Sequence, residues 1–147
     1  MVPNPPKDMP RIVPYLHYRN MKAALEWLSS AFGFRVAFTL PDKEGNLMHA
    51  EMRFVDSVIM FGPANKEHFG FSPLDLPGVN QGLYVYVDHV DAHYKNAKAR
   101  GAVITMEPGE MFWGDRIYAA KDLEGHRWTF AQHVKDVSPE DMRPPES

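Results

Sequence analysis

His49 and Glu51 stand two residues apart in a run where Met48, Ala50, Met52 and Phe54 alternate with His49, Glu51 and Arg53. That period belongs to a half-buried strand, so the imidazole and the carboxylate share one face. Such a pair can take up and return a proton near neutral pH, or supply two ligands to an atypical metal site. The same residues also suit a polar wall in which Glu51 pairs with Arg53 and His49 is solvated, as on the water-facing side of many strands. A second group is Trp113-Gly114-Asp115-Arg116, an aromatic and a guanidinium three residues apart at the entrance to a strand. Trp113 offers a stacking face, and Arg116 a planar fork for an anionic or carbonyl group. A structural Trp at a sheet corner beside a solvated Arg is the alternative. Tyr84 and Tyr86, alternate residues of one strand, add further lining.

The other histidines show less. His17, His68, His89, His93 and His133 have no partners at ligand spacing. His89 and His93 are four apart but straddle a helix start. His126 alternates toward the helix side of its strand. No cysteine is present, which leaves no thiolate nucleophile, disulfide or Cys-ligated metal.

The elements that must position these groups follow a repeated order. Met1 to Pro10 holds four prolines and reads as an arm without regular structure. A strand is expected over 11–18, then a helix from Met21 to Phe32 with Asn20 as N-cap and Gly33 just beyond its end. Strands follow over 35–40, 48–54 and 58–61. A long aperiodic connection rich in Gly and Pro comes next. The pattern then restarts with a strand over 83–87, a helix capped by Asp88 or Asp91 and closed by Gly101, and a strand over 103–106. A turn at Pro108-Gly109 leads to two last strands joined at Asp122-Leu123-Glu124-Gly125. The halves overlay at a shift of 69 residues, Tyr15 falling on Tyr84 and Phe61 on Phe130. The expected organisation is an arm (1–10), a first βαβββ module (11–62), a connection (63–81), a second βαβββ module (82–134) and a tail (135–147). The fold class is α+β, with the modules in tandem forming a curled, mostly antiparallel sheet around a cleft.

The 147 residues, 44% hydrophobic and 12% aromatic, suffice for a sizeable core. A net charge of -3 without any basic run argues against a nucleic-acid partner. No apolar stretch approaches the roughly 20 residues of a membrane span, and no signal-peptide core is seen, so a cytoplasmic location is expected.

The repeat resembles the vicinal oxygen chelate superfamily of glyoxalase I, extradiol dioxygenases and bleomycin-resistance proteins. It is most similar to the PhnB-like branch. The segments that carry the likeness are Pro14-Tyr15-Leu16, Ala31-Phe32-Gly33, His49-Ala50-Glu51, Phe112-Trp113-Gly114-Asp115-Arg116 and Gly125-His126-Arg127-Trp128. Leu123-Glu124 departs from the Pro-Phe usual in that turn. The resemblance implies metal ligands, where members have them, near Pro14, Met60 or Phe61, Gly82 and Thr129. None is a strong donor, so no metal and no other cofactor is expected.

The function expected is binding of a small organic molecule in the cleft, with Trp113, Arg116, Tyr84 and Tyr86 as ligand contacts. The alternative is a lyase, isomerase or dioxygenase of the same superfamily, with or without a metal; a lyase or isomerase would use His49 or Glu51 as base and Arg116 to stabilise an enolate. A dimeric module with a vestigial cleft is a third reading. A homodimer is expected from the superfamily likeness and from Phe69 and Phe71 in the exposed connection.

Overall fold

The structure is a computed structural model and describes residues 1–146. Its order is β1 (Tyr15–Tyr18), α1 (Met21–Phe32), β2 (Arg35–Pro41), β3 (Leu47–Phe54), β4 (Ser57–Pro63), β5 (Gly82–Tyr86), α2 (Val90–Ala99), β6 (Val103–Glu110), β7 (Asp115–Lys121) and β8 (Arg127–His133). The chain divides into two compact units between Gly78 and Val79. Each holds one helix and one four-stranded sheet, as the repeat requires.

In the first unit the strand order is β1-β4-β3-β2, with β1 and β4 parallel and the other pairs antiparallel. The Asn20 side chain accepts from the Ala23 N–H at 3.0 Å, which satisfies one of the helix's orphan donors. Gly33 closes the helix at φ 80°, a left-handed conformation open to glycine at little cost. Met21, Ala24, Leu25, Leu28, Ala31 and Phe32 form the buried stripe of α1. It packs on the sheet face carrying Tyr18, Ala50, Met52 and Phe61. Phe34 sits edge-on to both Phe32 and Phe54. Leu28 is fully buried, and truncation to Ala would cost about 2–5 kcal/mol.

One expectation is corrected here. The first strand begins at Tyr15 rather than Arg11. Pro14 has no N–H to give, and its carbonyl instead accepts from Met60 N at 2.9 Å. The connection contains two short 3₁₀ turns, Lys66–His68 and Pro73–Asp75. It is also tied to the first unit through the Arg19–Asp75 ion pair, and a Cβ on Gly70 would lie 2.6 Å from the His17 ring. Phe69, at its tip, is 85% exposed.

The second unit repeats the order as β5-β8-β7-β6, with β5 and β8 parallel. Tyr15 lies opposite Met60 in the first sheet and Tyr84 opposite Thr129 in the second, which is the same shift of 69 seen in the sequence. Helix α2 departs from expectation. Neither Asp88 nor Asp91 caps it. His89 is the N-cap residue and makes no side-chain cap bond. The Val90 N–H is taken up by Gln132 Oε1 of β8 at 3.1 Å, a tertiary substitute for a local cap. Pro108 and Gly109 form no turn either. They lie within β6 where its register against β7 shifts, a place that tolerates a residue without an N–H. The chain reverses at 111–114 instead, with Gly114 N donating to Met111 O at 3.0 Å. The turn at Asp122-Gly125 is as read. Asp122 accepts from the N–H groups of Glu124 and His126 and from Trp128 Nε1, so this buried carboxylate fastens the turn to the core. Tyr118 stacks on Phe130 with ring centres 5.3 Å apart, and His93 lies 4.2 Å from Phe130 while facing the Tyr118 hydroxyl. His93 is thus a part-buried residue on the helix side of the sheet.

Candidate functional site

The side chains able to do chemistry gather on the helix-free face of each sheet. In the first unit, alternation from the buried Ala50 and Met52 turns His49 and Glu51 to that face, as expected. Tyr15 reaches it from β1. Its hydroxyl is 3.0 Å from His49 Nδ1, and His49 Nε2 is 3.5 Å from Glu51 Oε1. The line runs tyrosine, imidazole, carboxylate. A carboxylate only accepts, so with Nε2 protonated toward Glu51 the Nδ1 lone pair accepts from Tyr15. Desolvation raises the Tyr15 hydroxyl above the ordinary tyrosine range. Phe38 lies beside His49, with ring centres 6.3 Å apart. Arg53 donates to the Asp8 carbonyl at 3.2 Å, which fastens the N-terminal arm to β3.

In the second unit Tyr84 and Tyr86 project together from β5, with ring centres 5.5 Å apart at 63°. Both hydroxyls donate to Asp115 Oδ2, at 2.7 and 3.0 Å. His133, directly opposite Asp115 in the β7–β8 ladder, places Nδ1 2.8 Å from Oδ1. Its Nε2 is 2.7 Å from Asp136 Oδ1. Trp113 Nε1 donates to the Tyr84 hydroxyl at 3.2 Å, and Phe112 stands edge-on to Trp113. Asp115 is 3% exposed. Burial pushes its carboxyl up, but the hydrogen bonds from His133, Tyr84 and Tyr86 outweigh this and leave it below the usual carboxylate range. Asp136 and then Asp115 raise the His133 imidazole. Burial and the bond to Asp115 push Tyr84 up to about 12. Asp115 therefore stays ionised and accepts three hydrogen bonds.

Gly114 fits this arrangement tightly. It takes φ 101°, and a Cβ there would lie 1.9 Å from the Lys135 carbonyl oxygen. Its own carbonyl accepts from Val134 N and Lys135 N. The residues following β8 are thereby fastened where His133 reaches Asp115.

Of the residues nominated from sequence, Trp113, Tyr84 and Tyr86 come together, as do His49 and Glu51 within the other unit. Arg116 does not join the aromatic group. It lies on the α2 side of the sheet, where its guanidinium meets the Asp91 carboxylate at 2.9–3.2 Å. Alternation is the reason: Asp115 and Arg116 are neighbours on one strand and must face opposite ways. Asp115 and His133 were missed, although the parity of Ile117 and Ala119 could have placed Asp115 on the helix-free face.

At the positions where the resemblance would place metal ligands, near Pro14, Met60 or Phe61, Gly82 and Thr129, the side chains offer a divalent metal no strong donor. Met60 has only a thioether, Gly82 has no side chain, and Thr129 is a poor donor. Among the described residues no three His, Asp or Glu side chains gather as a metal site.

The family model for the glyoxalase/bleomycin resistance protein/dioxygenase superfamily matches residues 11–130. The chain belongs to this superfamily. An uncharacterised protein of Mycobacterium bovis is 26% identical over 137 residues, covering 91% of this chain and 90% of its own. Among solved structures, TioX from Micromonospora sp. ML1 superposes with a TM-score of 0.69 at 31% identity, covering 85% of this chain and 99% of its own. The fosfomycin resistance protein FosX from Listeria monocytogenes has the same fold at 12% identity, with a TM-score of 0.64 and coverage of 91% and 98%. Superfamily membership fixes the scaffold and leaves the chemistry to the residues on it. Among the described residues, no helix is long and apolar enough to cross a membrane.

Proposed function

We propose that the protein binds a small, planar organic molecule against Trp113, Tyr84 and Tyr86, without a resident metal. The observation that carries this reading is the Trp113–Tyr84–Asp115–Tyr86 array, in which both tyrosine hydroxyls donate to one buried carboxylate and Trp113 donates to Tyr84. Rings fixed before the ligand arrives lose little freedom on binding. The segments His49-Ala50-Glu51 and Trp113-Gly114-Asp115-Arg116 also favour placement in the PhnB-like branch. The same reading takes the protein as a cytoplasmic homodimer without nucleic-acid or membrane partners, and light scattering at micromolar concentrations tests the dimer.

A panel of planar aromatic compounds, screened by thermal shift with and without divalent metals, tests binding, since a specific ligand stabilises by mass action. Stabilising compounds whose effect falls several-fold in Trp113→Leu support the reading. A panel without hits, or hits indifferent to that substitution, overturns it. About one equivalent of metal per chain retained after dialysis overturns the metal-free part.

The second reading is enzymatic, and the Tyr15–His49–Glu51 line favours it. With Glu51 holding the imidazole, His49 would act as base toward a proton on a carbon next to a carbonyl, in a lyase or isomerase. Arg116, paired with Asp91, contributes less to that reading than the sequence suggested.

A further inference from the structure

On the second sheet the direction of each hydrogen bond is fixed. A carboxylate has no proton to give, so Tyr84 and Tyr86 both turn their hydroxyl protons inward to Asp115. The Trp113 N–H is spent on the Tyr84 oxygen. What Tyr86 presents outward, on a ring 58% exposed, is lone pairs. A carbonyl or carboxylate oxygen arriving there meets another acceptor, whereas an N–H meets a partner.

Charge points the same way. Asp115 and Asp136 flank one imidazole, so the cluster is net negative even with His133 protonated. The guanidinium of Arg116 is turned to α2 and neutralised by Asp91. Lys121 and Arg127 pair at the far end of the β7–β8 ladder from Asp115 and His133. Tyr84 and Tyr86, at 63°, and Phe112 and Trp113, at 87°, add aromatic faces of negative quadrupole.

We propose that this face selects a planar organic cation whose N–H groups donate to Tyr86 while its conjugated frame lies on the aromatic rings. The proposal rests on the binding reading above and names its ligand class.

Benzamidine, benzamide and benzoate have nearly one shape and differ in charge and donor count, which makes them suitable probes by calorimetry and tryptophan fluorescence. Benzamidine is expected to bind about tenfold more tightly than benzoate, with benzamide between. Tyr86→Phe keeps the ring, removes the acceptor and should bring the three several-fold closer together. Asp115→Asn supplies an amide donor to the tyrosines, frees their protons to turn outward, and should raise benzoate relative to benzamidine. Benzoate binding as tightly as benzamidine overturns the proposal, as does a benzamidine preference that both variants leave unchanged. If neutral or anionic panel compounds quench Trp113 and benzamidine does not bind, the cation selectivity falls while the binding reading stands. If nothing binds, both fall.

Discussion

On the first sheet the polar groups sit mid-strand at His49 and Glu51. The β7 residue matching Glu51 is Ala119, for each lies beside the residue paired with the first-strand tyrosine, Met60 in one sheet and Thr129 in the other. Two residues earlier, His49 matches Ile117. The second sheet carries its carboxylate two residues earlier still, at Asp115, beside the reversal at Gly114. The consequence is a difference in kind. In the first unit an imidazole stands between tyrosine and carboxylate, and a second proton on its Nδ1 would turn the Tyr15 contact from accepted to donated. In the second the carboxylate is central and buried, so the directions are set. One backbone thus supports a line that can reverse and a cluster that cannot.

Substituting glycine should separate the two most sharply. Gly114→Ala places a methyl group into the Lys135 carbonyl at a left-handed φ, where neither backbone can yield cheaply. A loss of about 2–4 kcal/mol is expected in urea unfolding. In the first unit, a Cβ on Gly62 meets only the Tyr15 ring end, at 2.9 Å, and a side chain can swing. Gly62→Ala should cost under about 1 kcal/mol while moving Tyr15 away from His49. Equal losses would break the comparison.

Next in size is Asp115→Ala, which leaves Tyr84, Tyr86 and His133 without their common acceptor. The cost should be about 1–3 kcal/mol, and Glu51→Ala, removing the end of a longer contact, should cost less.

The pH response follows from His133. Its folded pKa is raised above 6.5, so its contribution is fully present below about 6.5 and is lost as pH rises through the folded value. Asp115 works oppositely: its lowered pKa gives a contribution present above 3.8 that is lost as pH falls through the folded value. In His133→Gln the decline on the alkaline side should disappear. An NMR titration placing His133 at or below 6.5 would remove this expectation.

The smallest effect is expected for Tyr15→Phe. It removes one hydroxyl from an exposed contact and should change stability by less than about 0.5 kcal/mol.

Much of the scaffold is legible in the residues. Asn20 and Gly33 mark the ends of α1, Gly125 marks the last turn, and the 69-residue shift reappears as strand register. Local chemistry sets these features, so local reading finds them. The cap on α2 was not legible because Gln132 supplies it from 42 residues away. The candidate site was half legible. Trp113, Tyr84 and Tyr86 stand out by type, but Asp115 is passed over at the strand entrance until its parity is fixed. His133 gains its meaning only from the ladder that sets it opposite Asp115. Arg116 drew attention by its charge, yet parity sends it to the other face.

The order β5-β8-β7-β6 sets the last strand made between the first and third of its unit. During synthesis, β5 has no ladder partner until β8 emerges, and Asp115 has no imidazole until His133 does. The first unit closes its equivalent ladder once β4 is out, by Pro63. On a ribosome the first unit is therefore expected to fold while the second is still being made. Nascent chains arrested with residue 126 just outside the exit tunnel should resist protease in the first unit and be cut in the second. Moving the arrest some ten residues on should protect both.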